Sequence, residues 1–572
     1  MKLFQNRFII YIGIFLMVFL VYGNTIKHSF TLDDKRLITG NELVKSFSVK
    51  ELVTHGTFYG FNYDNSGAYR PVSMLFYAIT YKLSNGKSSG MHFFVILFYG
   101  LFCCLLFNYL SKILTSIPNE ILFLTTCIFV SLTIHTEVVA NIKSVDEILC
   151  GIGLLCSLIL VLNADKQLNV KYLIALFFAL NISVLSKETG LATFTIVIFT
   201  AFDKWKKQSL PTLLTVGLVA ILYFVFRNSF LDKPILINNQ QLEINNTLYS
   251  LSGVEQIWAK IHLWGLYFTK LVLPYPLQWD YSTGAIPDLG SFNIIVFLGF
   301  IVLILSLLAI IKNYKNQTRI TALWFLIPLL LVSNSFILIE TTFAERFLLL
   351  PSVALILILL IIYQSINNKK LIVVFLIFIG IISASFTIKR NKLWKDDYTL
   401  ATESNSPNPS ARMLMASAGE WLAESNELIN NSLRDSLLLK AEKNATLACR
   451  LIPKDAEVNY LLGNIYLNEK KYKLAEIQLK KSIAIDSKHV KALNDLAVIA
   501  GQNANQPLAL DYILKVLSLD AQNEKALENA ALLYFVKNDF INAKLMVDRC
   551  LKVNSQNVRC LQILSELNKL KF

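Results

Sequence analysis

Residues 8–36 read FIIYIGIFLMVFLVYGNTIKHSFTLDDKR, an apolar run from Phe8 to Tyr22 followed within a few residues by the charged patch Ser29-Phe30-Thr31-Leu32-Asp33-Asp34-Lys35-Arg36. A run of about fifteen apolar residues behind Lys2 and Arg7 has the form of a signal sequence, but no small-residue cleavage site follows it. It therefore reads as an uncleaved signal anchor with its basic flank in the cytoplasm. Two adjacent carboxylates then stand where the helix leaves the bilayer. An ionised side chain at the membrane centre costs roughly 2.5–3.5 kcal/mol on insertion scales, so acids held close to the interface are either solvated in a wet loop or functional. Position alone leaves both readings open.

Outward from this stretch the same apolar pattern recurs. Of 572 residues, 54% are hydrophobic and 16% charged, and the mean hydropathy is +0.51, which excludes an ordinary soluble globule. Further apolar runs fall near 91–110, 120–137, 147–163, 171–186, 189–203, 211–229, 291–311, 320–338, 347–363 and 371–388, for about eleven candidate spans with the first. Lys112, Lys166, Lys171, Lys204, Lys206, Lys207, Lys312, Lys315, Arg319, Lys369 and Lys370 occupy alternate loops, whereas the intervening short loops hold only Lys143, Lys187 and Arg346. That asymmetry predicts a cytoplasmic N-terminus and a C-terminal part on the opposite face. Residues 257–273 are apolar but carry Lys260, His262 and Lys270, and read as an interfacial or re-entrant helix in the external segment 230–290. The net charge of +14 is distributed over these short loops, so it calls for no nucleic-acid partner. The eight cysteines show neither a disulfide framework nor zinc-ligand spacing.

After residue 389 the pattern turns soluble and repeats with a period of 34. Ala475, Ala509 and Ala543 fall in register, as do Val458, Ala492 and Ala526, and Leu479, Ile513 and Val547. Gly463, Ala497 and Ala531 supply a small residue where two helices approach. This is the helix-turn-helix pattern of tetratricopeptide repeats, with a more degenerate unit over 409–453. The expected organisation is a membrane domain over 1–388, a linker over 389–408 and a repeat domain over 409–572.

The remaining unusual polar residues gather at one end of the predicted spans: His135-Thr136-Glu137, Asp146-Glu147, Ser186-Lys187-Glu188 and Ala344-Glu345-Arg346. On the predicted topology they share the compartment of Asp33 and Asp34, which a common site explains better than separate anchors. No nucleotide cradle is present: Gly151-Ile152-Gly153 lacks a third glycine and lies inside an apolar run. An activated substrate would then arrive in the lipid phase. A lipid-linked phospho-sugar already has a phosphate leaving group and needs no carboxylic acid to protonate it, unlike glycoside hydrolysis. One carboxylate as base toward an acceptor hydroxyl, with Lys or Arg against the developing phosphate charge, would suffice.

FTLDDKRLITGN, YRPVSMLFYAITY, IHTEVVANIKSVDEIL, LSKETG, AERFLLLPS and RNKLWKDDYTL, followed by the repeats, resemble the transmembrane and tetratricopeptide repeat-containing O-mannosyltransferase family over nearly the whole chain. The resemblance implies an all-α chain: a GT-C membrane fold followed by a tetratricopeptide solenoid. It also implies inverting sugar transfer from a polyprenyl phosphate, with Asp33 and Asp34 as the catalytic pair. Lys187, Arg346 and Arg70 are the expected ligands of the donor phosphate, with His135, Glu137, Asp146, Glu188 and Glu345 in acceptor or supporting roles. Ile134 stands where the family usually has Pro, and the repeat array is shorter than in animal members.

The expected activity is transfer of a hexose such as mannose from a polyprenyl-phosphate donor to Ser or Thr of a polypeptide on the non-cytoplasmic side. No cofactor or metal site is expected beyond the lipid-linked sugar, with divalent-metal dependence left open. The short array and the Ile-, Asn- and Lys-rich composition point to a bacterial inner membrane with periplasmic repeats, the alternative being an endoplasmic-reticulum membrane with lumenal repeats. Two other functions compete: transfer to an envelope lipid or glycan, and an inactive membrane-anchored repeat scaffold. The repeats favour a polypeptide acceptor, because stacked helix pairs offer a long concave surface.

Overall fold

A computed structural model of the chain describes residues 5–62, 67–164, 169–205, 209–232, 239–312, 316–404 and 406–570. Lys166, Lys206, Lys207 and Lys315, which contribute to the charge asymmetry above, lie outside the described residues. Among the described residues every regular element is helical. The chain divides into two compact units, Met1–Asn408 and Pro409–Phe572.

In the first unit the apolar runs become helices α1 (Arg7–Tyr22), α2 (Pro71–Leu83), α3 (Ser88–Ile113), α4 (Asn119–Ser131), α5 (Thr136–Ala140), α6 (Val145–Asn163), α7 (Val170–Ser186), α8 (Thr189–Trp205), α9 (Leu210–Phe230), α10 (Gly253–Val272), α11 (Ile294–Ile311), α12 (Asn316–Leu329), α13 (Ser352–Ser365), α14 (Lys369–Asn391) and α15 (Asp397–Glu403). Asn6 starts α1 by accepting the Phe8 N–H, and Pro71 at the first position of α2 uses a site where no amide partner is needed. The side chains of Leu106, Phe107, Phe129, Leu155 and Leu348 are all buried in one continuous core.

Fewer helices than expected are long enough to span. Among the described residues six helical segments are long and apolar enough to cross a membrane, or seven if α4 and the bent stretch Thr133–Ala140 act as one, beside the eleven candidate runs of the sequence. The difference is physical. Polar residues end the helices early: α7 and α13 are shorter apolar helices, and the 320–338 run stops being helical after Leu329, where Pro328 is followed by the Ser333-Asn334-Ser335 turn. Asn334, at φ +58°, there donates to the Thr341 and Thr342 carbonyls and accepts from Ile339 N and Asn246 Nδ2. The stretch 257–273 lies in α10, which buries His262, Trp264, Tyr267 and Lys270 against the core and is not among the span-like helices.

A correction concerns residues 389–408, expected as a linker. Lys389–Asn391 complete α14, and Trp394 and Leu400 bury against Ala140, with Leu32 and Trp279 packed around them. The segment belongs to the first unit.

The second unit pairs α16 (Ala411–Glu427) with α17 (Asn431–Leu451), α18 (Ala456–Asn468) with α19 (Tyr472–Ile485), α20 (Val490–Gln502) with α21 (Gln506–Leu519) and α22 (Glu524–Val536) with α23 (Phe540–Val553), and adds α24 (Val558–Lys569). The in-register positions Ala475, Ala509, Ala543, Leu479, Ile513 and Val547 are all buried, as the 34-residue period requires. Asp455, His489, Asn523 and Asn557, themselves 34 apart, cap the starts of α18, α20, α22 and α24. At Gly463 a Cβ would stand 2.8 Å from the Leu479 side chain, so glycine permits the close approach of α18 and α19.

Candidate active site

The site is assembled at one end of the first unit by helix pairing. Helices α6 and α7 form a hairpin packed so closely that a Cβ on Gly153 would lie 2.4 Å from Ser183 N and 2.6 Å from Ala179 O. That contact brings the start of α6, with Asp146 and Glu147, against Lys187 at the end of α7. Asp146 accepts from Lys187 Nζ at 3.3 Å and from Arg70 Nη1 at 2.8 Å, and Lys187 Nζ lies 2.6 Å from Glu147 Oε1. Arg70 also grips Glu188, Nη2 to Oε2 at 2.7 Å. Nearby, Glu137 takes both the Arg346 Nη1, at 2.5 Å, and the Arg346 backbone N–H, at 3.0 Å.

The adjacent aspartates part company. Asp34 is fully buried: its Oδ1 accepts the Lys143 N–H at 2.7 Å and its Oδ2 the Thr31 N–H at 3.2 Å. Burial pushes its carboxyl up to about 7 despite those two donors. The Asp33 side chain is 47% exposed, with Lys143 Nζ 3.9 Å from Oδ2. The two residues follow Leu32 in a helical turn that runs on into a π-helical turn over Lys35–Thr39, with Asp34 at φ −55° and ψ −37°, and there one acid ties the turn to the core while its neighbour meets solvent.

The loop itself is held from several directions. Asn141 Nδ2 donates to both the Thr31 carbonyl and its hydroxyl at 3.3 Å, Ser29 N donates to the Lys395 carbonyl at 2.8 Å, and Leu32 N donates to Asp397 Oδ1 at 2.8 Å. Lys35 Nζ lies 2.5 Å from the other Asp397 oxygen. Leu32 stands at φ +48°, a left-handed conformation that costs a branched residue on the order of 1–2 kcal/mol.

The expected site residues therefore separate by position. Asp33, Arg70, Glu137, Asp146, Lys187, Glu188 and Arg346 form one charged cluster. Lys187 is only 4% exposed and already bound to two carboxylates, which gives it a place in the scaffold rather than at a ligand. His135 is buried between Tyr99 Oη at 2.8 Å and Ser352 Oγ at 2.9 Å, a saturated core position. Glu345 is buried at the edge of the cluster, within electrostatic reach of Glu137, where it accepts from Arg390 at 2.5 Å, Tyr281 Oη at 2.7 Å and Gln278 N at 2.8 Å. These contacts fasten the 276–282 segment to the end of α14, and burial raises the Glu345 carboxyl.

Lys143 was legible only as a loop lysine. Its N–H holds Asp34, its carbonyl accepts from Tyr77 Oη at 2.5 Å, and its ammonium is the cation next to Asp33. The signal available in the sequence was its place between His135-Thr136-Glu137 and Asp146-Glu147. Arg346, 20% exposed and stacked on Phe347 at 5.1 Å, lies within electrostatic reach of Asp33. Among the described residues no three His, Cys, Asp or Glu side chains converge as a metal-ligand set.

A helical membrane unit with a buried, charge-paired cluster around one half-exposed carboxylate, joined in sequence to tetratricopeptide repeats, defines the class of protein. The family profile of the tetratricopeptide repeat matches residues 456–489. Over its length the chain resembles protein O-mannosyl-transferases: it is 27% identical to F38B6.6 of Caenorhabditis elegans, covering 76% of this chain and 61% of that protein. It is 24% identical to the mouse TMTC4 (71% and 63%) and 22% identical to the human TMTC3 (90% and 58%). The chain thus spans about three-fifths of the length of the curated relatives it matches. The solved structure of pilF from Pseudomonas aeruginosa, 18% identical, covers 37% of this chain and 80% of its own with a TM-score of 0.25, too low to carry an argument.

Proposed function

We propose that this chain is a polyprenyl-phosphate-sugar-dependent O-mannosyltransferase acting on Ser or Thr of polypeptides at the non-cytoplasmic face of its membrane. The observation that carries the reading is Asp33, half-exposed beside Lys143 and near Arg346 on a loop fixed from several sides. Asp33 takes the proton of the acceptor hydroxyl as its oxygen bonds to the anomeric carbon. The bond from that carbon to the phosphate oxygen breaks, and the electron pair leaves with the polyprenyl phosphate. Lys143 and Arg346 meet the charge that develops there, Arg through its planar fork and Lys as a point charge. No proton need be supplied to the leaving group. Arg70, Asp146, Glu147 and Lys187 hold the floor of the site.

The names of the relatives supply the sugar and the protein acceptor in this reading. Those relatives are animal proteins, so the periplasmic setting rests on composition alone and the endoplasmic-reticulum setting is the one they favour. The test is transfer by the purified protein from dolichyl-phosphate or undecaprenyl-phosphate mannose to a Ser/Thr peptide, read by mass spectrometry. Transfer that is absent with both donors, or unchanged in Asp33→Asn, rules the proposal out; transfer only to a lipid or glycan acceptor moves the chain to a different GT-C class.

A further inference from the structure

Asp397 lies 364 positions after Asp33 in the sequence, on the first turn of α15, in a segment whose composition marks it as a hydrophilic connector. Its carboxylate nevertheless reaches the loop of the charged cluster with both oxygens. Oδ1 accepts the Leu32 N–H at 2.8 Å, and Oδ2 lies 2.5 Å from Lys35 Nζ, so the two contacts bracket Asp33 and Asp34 in the chain. The residue it grips by its backbone is the one at φ +48°. A leucine does not hold that conformation unaided, and strained backbone at a site persists only where the surroundings over-determine it. The surroundings here are the α15 carboxylate, the Lys395 carbonyl on Ser29 N, and the Trp394 and Leu400 side chains packed with Leu32.

We infer that Asp397 is a positioning residue, which sets the orientation of Asp33 by clamping Leu32 in its left-handed conformation. The inference rests on the role proposed above for Asp33. Without the clamp, Leu32 relaxes toward ordinary backbone angles, and the side chain that follows it in the chain swings away from Lys143. The ion pair with Lys35 is exposed to water and contributes little by comparison. The effect therefore belongs to the hydrogen bond on Leu32 N.

Four variants of the full-length protein in detergent separate these contributions. A displacement of about 1 Å at a reacting group costs on the order of 100-fold, so Asp397→Ala should lower kcat between about 10- and 100-fold with the donor KM nearly unchanged. Asp397→Asn, which keeps an acceptor for Leu32 N, should lose less, and Lys35→Ala should stay near wild type. Adding Leu32→Asn to Asp397→Ala should restore part of kcat, because asparagine tolerates the left-handed region; a variant that had merely lost its fold would gain nothing from it. Hydrogen exchange of residues 29–36 should accelerate at least about tenfold in Asp397→Ala while α6 stays protected.

Unchanged kcat in Asp397→Ala, or equal losses in Lys35→Ala and Asp397→Ala, overturns the inference. If the wild-type protein transfers no sugar, the proposed function fails by itself, and exchange decides the clamp: unchanged rates over 29–36 in Asp397→Ala overturn it. Should Asp397→Ala fail to insert, Asp397→Ser, whose side chain is too short to reach Leu32 N, takes its place in the exchange comparison, and unchanged rates over 29–36 overturn the clamp.

Discussion

At residue scale the two aspartates are expected to fail differently. On the proposed function Asp33→Asn removes the base and should depress turnover by about 100- to 10,000-fold with thermal stability unchanged, as measured by parallel assays of activity and unfolding. Asp34→Asn keeps one carbonyl oxygen but turns an amide toward a backbone donor, leaving that N–H without its acceptor. A cost of about 1–3 kcal/mol is expected. The pH profile separates them further. The folded Asp34 carboxyl sits at about 7 against 3.8 for an unperturbed aspartate, so between those values the folded state binds a proton that the unfolded state does not. Stability from this group is greatest near pH 4 and declines as the pH rises to about 7; the slope should vanish in Asp34→Asn. A reversed slope in wild-type unfolding curves would contradict this.

The two lysines of the cluster are also separable. Lys187→Ala leaves Glu147 in the core without its cation and Asp146 with Arg70 alone, and should destabilise by about 3–5 kcal/mol, whereas Lys143→Ala should raise the donor KM or lower kcat in a protein that remains folded. Activity of purified Lys143→Ala equal to wild type would remove Lys143 from the site. Sequence patterning brought Asp33 and Asp34 forward as a pair, but which of them is buried depends on Thr31 and Lys143 amides that meet only in three dimensions. The same holds for Lys187 and Lys143: both are lone lysines at the ends of apolar runs, and only their partners in the folded chain tell them apart.

Among the elements, the repeats were legible because each helix pair solves the same packing problem every 34 residues, so Ala475 and its equivalents repeat in register. Replacing Gly463 by Ala tests that solution: a Cβ 2.8 Å from Leu479 must displace it, and overpacking of this kind costs about 1–3 kcal/mol. Repeat unfolding followed by circular dichroism should show the loss, and wild-type stability would mean that α18 and α19 separate without strain. The membrane unit was less legible. Hydropathy locates apolar stretches but does not say where a helix stops inside one, and at 329–344 the stop depends on Asn246 reaching Asn334 from 88 residues away. The resemblance to O-mannosyltransferases rested on both the acid motif and RNKLWKDDYTL, but the bond from Leu32 N to Asp397 that joins them was legible in neither.

For the whole molecule, the boundary at Asn408 gives a different truncation test from one placed at the end of the last apolar run. A chain ending at 408 should still transfer to a small hydroxyl acceptor, or hydrolyse donor, while losing the protein acceptor. One ending at 391 lacks Trp394, Lys395 and Asp397 and should lose both. Equal activity of the two truncations toward the small acceptor would show that α15 is dispensable. Tethering through the repeats raises the local concentration of acceptor without changing the barrier, which is why selection and chemistry should separate here. Sidedness is testable in the same molecule. Cysteines at the exposed Tyr275 and Ile429 should label from one side and one at Ile311 from the other.

The first and last long helices of the membrane unit are joined near the site by Asn391 Nδ2 on the Val21 carbonyl, Asn24 Nδ2 on the Ile388 carbonyl, and the Asp397 bond to Leu32, contacts that span 364 to 370 positions of sequence. The loop bearing Asp33 leaves the ribosome early, yet Asp397, which bonds Leu32, is made 365 residues later. At about 5–20 residues per second the interval is roughly 20–70 s. Throughout that interval Asp33, the base of the proposed function, has no fixed direction. On the proposed function, a nascent chain stays silent until its membrane unit is complete, so a stalled or prematurely ended chain would leave no misdirected sugar on its neighbours.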